Sequence, residues 1–185
     1  MNAKVQIQFS EQSIPFYSVA DIISAYSLAS EAATQLRTLA NQINKATAFV
    51  KAFVQENDKA DSSAFAELEN LIIISQQLAN SQADTYGLEL NRHQQEPDDH
   101  YNAGDLYDAY SLAYENTSWL ETMFYEAKDE VEIIKEAIKQ NTHGAVFATL
   151  ERLIHIAAYW AESHSNTFDI EREKYEAEWE ATKNG

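Results

Sequence analysis

The chain has 185 residues, which suffices for one domain with a hydrophobic core, and 21 aromatic residues argue against disorder. Because it has no cysteine and no apolar run long enough for a bilayer, we expect neither disulfides nor a membrane span, and a cytoplasmic location. With 13 basic and 30 acidic residues the net charge is −17, which argues against direct binding to nucleic acid or membrane and favours a basic protein partner.

The pattern predicts an N-terminal arm followed by four long helices. Weak apolar alternation up to Pro15 indicates an extended arm over 1–17. Helices are expected over 18–57, 63–95 and 102–140, and a fourth from the break at 141–144 to about 182, because glycine, proline and charged residues cluster between these stretches. In the last break, Gly144 is expected to end helix three and Thr142 to begin helix four. The division is thus a first helical hairpin (18–96), a connector (97–103) and a second hairpin (104–185), which share one domain.

Two capping pairs, each ending in an aspartate, are predicted to begin the first and third helices. Ser18 and Asp21 have the spacing of a capping box, in which the carboxylate three residues on accepts the backbone amide of the capping residue. Asn102 and Asp105 repeat this spacing. Both aspartates are therefore expected to start helices rather than to take part in catalysis.

The two hairpins echo each other in sequence. Ala25-Tyr26-Ser27-Leu28-Ala29 returns 84 positions later as Ala109-Tyr110-Ser111-Leu112-Ala113. A second block, from Phe65 to Glu89, returns at an offset of 82 in the segment from Phe147 to Glu171. The order of the blocks predicts that a helical hairpin was duplicated.

Apolar residues recur every three and four positions, which is the period of a helix. Further apolar residues flank this stripe, so each helix presents a wide apolar arc: Leu71, Leu78, Leu112, Trp119, Ile133, Leu153, Ile156, Trp160 and Ile170. Because an arc of this width needs two neighbouring helices, the pattern predicts an all-α, antiparallel four-helix bundle. A dimer that exchanges hairpins satisfies the same pattern and stays open.

The search for chemistry finds no catalytic, cofactor or metal motif. A ferritin-like metal site needs glutamate three residues before histidine, a spacing that none of the five histidines has: His93, His100, His143, His155 and His164. Glu151 and His155 lie one turn apart, but the first hairpin has Ile73 in place of the histidine, so only an exposed contact is expected. We therefore expect a non-enzymatic protein, with a helical metal or cofactor protein as one alternative.

Four polar positions interrupt the apolar stripe of the second and fourth helices. Gln82 and Glu89 correspond, at the offset of 82, to His164 and Glu171. Buried acids need partners, so these positions are predicted to mark the more hydrated end of the bundle.

The second hairpin differs from the first in its outer surface. Along the outermost column of helix three, four of five positions are acidic: Asp108, Glu115, Thr122, Asp129 and Glu136. The same column of helix one has two charged residues, Glu31 and Lys45, among Ser24, Thr38 and Ala52. Residues 1–96 carry a net charge of −5 and 8 aromatic residues, whereas residues 97–185 carry −12 and 13.

This acidic and aromatic surface is the predicted partner-binding site. Carboxylates steer a basic partner and aromatic rings supply desolvated contact area. The predicted residues are Tyr107, Asp108, Tyr114, Glu115, Glu121, Tyr125, Asp129, Glu132, Glu136, Tyr159, Glu173, Glu176, Trp179 and Glu180.

The expected function is to dock on, and inhibit, a basic nucleic-acid-binding protein. In charge and shape the chain is similar to small acidic helical inhibitors, such as the immunity proteins of nuclease toxins and phage-encoded mimics of nucleic acid. Two alternatives stay open: an assembly subunit that forms a homo-oligomer, including a homodimer, and an acidic face that serves only solvation.

Overall fold

The computed structural model describes residues 16–58, 62–96, 100–138 and 144–183. Its helices are α1 (Val19–Asp58), α2 (Ala66–Gln95), α3 (Ala103–Ile138) and α4 (Gly144–Lys183), and a 3₁₀ helix, Ser62–Phe65, precedes α2. The four long helices pack against one another, which confirms the prediction of an all-α four-helix bundle. Within the described ranges, no helix combines the length and the apolarity needed to cross a bilayer.

Two boundaries differ from the predicted ones. The first turn of the second helix is 3₁₀, which is common at helix N-termini. Gly144 is the first residue of α4, so its predicted role in ending helix three was wrong. Most of the predicted arm (1–15), three connector residues (97–99) and the break at 141–143 lie outside the described residues.

Contacts at both ends of the bundle show that neighbouring helices are antiparallel. Near the hairpin turns, Lys51 of α1 contacts Glu69 of α2 at 2.8 Å. At the opposite end, the hydroxyl of Tyr17 donates to Glu178 of α4, and the amide of Tyr17 donates to the carbonyl oxygen of Tyr101 at 2.9 Å. The starts of α1 and α3 therefore lie side by side, next to the C-terminal part of α4.

The interior consists of two apolar clusters. The cluster near the hairpin turns is aliphatic and phenylalanine-rich, and includes Leu36, Leu120 and Phe147. The cluster at the other end is rich in alanine and tyrosine. The diagonally placed helices α1 and α3 also contact each other. The alanines of this cluster include the repeated ones: Ala25, Ala29, Ala109 and Ala113.

A polar layer separates the two clusters. Buried Gln82 donates to the carbonyl oxygen of Asn116 at 3.3 Å, and the Asn116 amide donates to the Tyr86 hydroxyl at 2.6 Å. Nε2 of half-buried His164 meets Oε1 of Gln35 at 3.0 Å, and burial lowers the pKa of this imidazole. Gln82 and His164, predicted at the hydrated end, thus lie between the apolar clusters instead.

Both predicted capping pairs are confirmed. The Ser18 amide and hydroxyl donate to Oδ2 of Asp21 at 2.9 and 2.7 Å. The Asn102 amide donates to Oδ2 of Asp105 at 2.8 Å. The bonds from Ser18 hold the pKa of Asp21 below its ordinary 3.8.

We expect Asp21→Ala to lower the free energy of unfolding at neutral pH by about 1 kcal/mol, because the first turn of α1 loses its cap. Since the native pKa of Asp21 lies below 3.8, this contribution is complete above that pH and is lost as the pH falls through the lowered value. Urea unfolding followed by circular dichroism at neutral and acid pH measures both effects.

Asp84→Ala is the matched control. Asp84 is exposed within α2, and Arg37, at 3.9 Å, is its one ion-pair partner among the described residues, so we expect a change within about 0.5 kcal/mol. An equal loss in both variants would contradict the capping role of Asp21.

Candidate functional site

The acidic column of α3 faces solvent along its whole length. Asp108, Glu115, Asp129 and Glu136 are all exposed, and each lacks a hydrogen-bond or ion-pair partner among residues 16–58, 62–96, 100–138 and 144–183. Two turns of helix separate Asp108 from Glu115, and Asp129 from Glu136, so each pair spans about 10.5 Å. The column is therefore a row of carboxylates that no described part of the fold neutralises.

Other predicted acids have partners within the molecule. Glu132 accepts from Lys135 at 2.9 Å, and Lys135 also contacts Glu151 across the helix pair. The hydrogen bonds to both carboxylates raise the pKa of Lys135. Glu180 accepts from Lys183 at 3.0 Å. These acids are exposed or half-buried ion-pair partners, unlike the column.

Negative charge accumulates where α3 and α4 meet near their middle. The Tyr125 hydroxyl donates to Oε2 of Glu162 at 3.1 Å, and this bond raises the pKa of Tyr125. Burial, and then the nearby Glu162, raises the pKa of Glu121. The structure thus brings Glu121 and Tyr125 of α3 together with Glu162 of α4, which was not among the predicted site residues.

The predicted aromatic residues divide into two groups. Tyr125 and Tyr159 are 42 % and 62 % exposed, so their rings are available to a partner. Tyr107, Tyr114 and Trp179 are half-buried and pack against the alanine- and tyrosine-rich cluster. These three rings therefore contribute to the packing of the bundle.

Cations cover two of the half-buried rings. The Arg172 guanidinium lies 4.9 Å from the centre of the Tyr114 ring and also bonds Asp169 at 2.6 Å. The Lys183 ammonium lies 4.8 Å from the centre of the Trp179 ring. Sequence reasoning missed Arg172, although its three-residue spacing from Asp169 is a readable signal for an ion pair. Its stacking on Tyr114 depends on how α3 and α4 face each other.

The last two predicted acids lie in the C-terminal half of α4. Glu173 is exposed, and Glu176 is half-buried. The hydrogen bond that Arg172 donates to Asp169 raises the pKa of Arg172, and the charges of Asp169 and then Glu176 raise it further. This end of the face is consequently a mixture of charges, whereas the column of α3 is purely acidic.

The histidines do not form a metal centre in the described part of the chain. His93 is buried, with Nδ1 at 2.8 Å from the Tyr101 hydroxyl, whereas His100 is exposed beside the ring of Phe16. Glu151 pairs with Lys135, so the expected contact with His155 was wrong. Among residues 16–58, 62–96, 100–138 and 144–183 no three acids or histidines cluster in a way that could hold a metal ion.

The chain was also compared with known proteins. No protein-family model, curated protein or solved structure matches it.

We expect Gly104→Ala to destabilise the protein, because a Cβ atom at Gly104 would lie 3.1 Å from the Trp179 ring and 2.9 Å from Oδ1 of the capping residue Asn102. Overpacking of this kind costs about 1–3 kcal/mol, which exceeds the gain of about 1 kcal/mol in helix propensity. Thermal unfolding gives the stability, and the tryptophan emission spectrum reports displacement of the ring.

Gly87→Ala is the control, because no atom lies within 4 Å of the position of its Cβ atom. This change should stabilise α2 by about 0.5–1 kcal/mol through propensity alone. If both alanine variants were stabilised, Trp179 would not be packed on α3 and would be available to a partner.

Proposed function

We propose that this protein is a non-enzymatic, acidic helical binding protein that docks on a basic, nucleic-acid-binding protein and inhibits it. The observation that carries the proposal is the exposed column of Asp108, Glu115, Asp129 and Glu136, which has no partner among the described residues. The column and the residues around it, on α3 and α4, form the docking face.

The four carboxylates of the column do not stabilise the fold. An exposed ion pair within a helix contributes only a few tenths of a kcal/mol, and these carboxylates make none with the described residues. Residues 97–185 carry a net charge of −12, and the column adds to it. The resulting repulsion between like charges lowers the stability of the folded state. A basic partner relieves this repulsion, and the same field steers the partner towards the face.

The column presents a row of negative charges, as a phosphate backbone does. Asp108 and Glu115, and again Asp129 and Glu136, lie about 10.5 Å apart along α3. Arginine pairs with carboxylates and with phosphates in the same bidentate geometry, so basic residues that bind phosphates can also bind these carboxylates. Tyr125 and Tyr159 supply rings beside the charges, and buried rings are frequent sources of binding energy.

The test removes the column without changing the fold. In the column variant, Asp108, Glu115, Asp129 and Glu136 become Asn or Gln of the same shape, and stability should change by less than about 1 kcal/mol because all four are exposed. Wild type should capture a basic protein from a lysate of the source cells, and the column variant should not. Mass spectrometry identifies the captured protein.

The control variant neutralises four exposed acids of the first hairpin, Glu56, Glu67, Asp84 and Glu96, and so changes the net charge equally. It should capture the partner as wild type does. Capture by wild type should weaken as salt rises from about 0.05 M to about 0.5 M, because salt screens exposed charges. Equal capture by all three proteins, or no effect of salt, would show that the column does not contact the partner.

Inhibition is measured separately with the identified partner. Wild type should displace nucleic acid from that partner in a fluorescence-anisotropy titration, because carboxylates and phosphates compete for the same basic residues. The column variant should fail to displace it. Docking without displacement would leave a binding protein that does not inhibit.

A further inference from the structure

The groove between α1 and α4 is apolar and open. Two cavities of about 280 and 610 Å³ follow one another along it. The first is lined by Leu39, Ile156 and Trp160, among other residues, and the second by Phe49 and its neighbours. Phe49 is 65 % exposed although it faces an apolar cavity. The flanking apolar positions, predicted to be buried between helices, are thus partly open to solvent here.

Among the residues that the structure describes, none that lines the two cavities carries a carboxylate. The described polar residues of the lining are threonines and glutamines, together with the charged Lys45. The chain has 30 acids among 185 residues, and one of them, Glu31, accepts a hydrogen bond from Gln35 at 3.1 Å without lining either cavity. The groove therefore differs in kind from the acidic face of α3 and α4.

The groove between α2 and α3 is the counterpart of the α1–α4 groove in the repeat, and its equivalent positions carry different residues. At the repeat offsets of 84 and 82, Ile133 replaces Phe49 and Ile74 replaces Ile156, and both are exposed. Four uncharged or basic positions of the first groove, however, have acids as counterparts: Gln42, Lys45, Ala46 and Thr149 correspond to Glu126, Asp129, Glu130 and Glu67. The α1–α4 groove therefore lacks the acids that occupy these four positions of the α2–α3 groove.

We propose that the α1–α4 groove binds a second copy of this chain and forms a two-fold symmetric dimer. A two-fold interface brings the same patch of both copies together, so the net charge of that patch is doubled at the interface. For two molecules of net charge −17, a patch whose described cavity lining holds no acid adds little to their mutual repulsion. A basic partner, by contrast, gains nothing from an uncharged groove and is drawn to the acidic face.

The size of the groove predicts a weak dimer. It runs for about 16 residues on each helix, or about 24 Å, and two packed helices are about 20 Å wide. Each copy therefore offers about 500 Å², and the pair about 1,000 Å², which lies at the lower limit for a specific interface. Apolar contact must also overcome the repulsion between the copies. The dimer should therefore appear with rising concentration and should be strengthened by salt.

Sedimentation velocity over a concentration series, from about 5 µM to about 500 µM, tests the proposal at low and high salt. Wild type should pass from monomer to dimer, and the transition should move to lower concentration as salt rises. This is opposite to the effect of salt on capture of a basic partner. The column variant should dimerise at least as well as wild type, so the dimer can fail or succeed independently of the proposed function.

Two variants place negative charge in the groove without changing buried residues of the core. Phe49→Glu changes an exposed side chain, and Gln42→Glu with Lys45→Asp and Ala46→Glu gives α1 the residues of α3. Each should weaken dimerisation at least tenfold, with an unchanged circular dichroism spectrum. Ile133→Glu is the matched control, since Ile133 is 56 % exposed at the equivalent position of α3. This variant should dimerise as wild type does.

Three results would overturn the proposal. Wild type could stay monomeric throughout the series at high salt, or Ile133→Glu could weaken the dimer as much as Phe49→Glu. The dimer could also persist with both groove variants, which would place the contact elsewhere, for example in exchanged hairpins.

Discussion

Burial of one apolar stripe per helix is the constraint on which this bundle depends. Leu36, Leu68, Leu120 and Leu150, one from each helix, are completely buried, and a buried leucine contributes about 1.5–3 kcal/mol. Exposed positions contribute far less, so their side chains can change without loss of the fold. The exchange of Lys45 on α1 for Asp129 at the equivalent position of α3 shows this freedom.

The same freedom allows the long faces of the bundle to differ. The α3–α4 face carries a column of carboxylates without described partners, whereas the α1–α4 groove is lined by apolar and uncharged residues apart from Lys45. We propose that the α3–α4 face binds a basic partner and that the α1–α4 groove binds a second copy of the chain. Because α3 lies diagonally across from α1, such a dimer would leave both acidic columns accessible, and two columns on one particle would raise the avidity for a partner with repeated basic sites.

Tyrosine side chains close one end of the bundle. Tyr17 donates to Glu178, and burial followed by this bond raises the pKa of its hydroxyl to about 12. The rings of Tyr110 and Tyr175 stack with centres 5.6 Å apart, and His93 lies between Tyr26 and Tyr101. This end thus combines ring packing with satisfied polar atoms.

The sequence by itself determined the features that depend on neighbours three or four residues apart: the four helices, the caps at Asp21 and Asp105, and the exposure of the acidic column. It also fixed which residues lie on one helical face, because the helical period is constant. Only the tertiary structure decided that Trp179 packs on Gly104, that Arg172 stacks on Tyr114 and that the polar layer lies between two apolar clusters. Those contacts join different helices, and the relative rotation and register of packed helices do not follow from the period of any single helix.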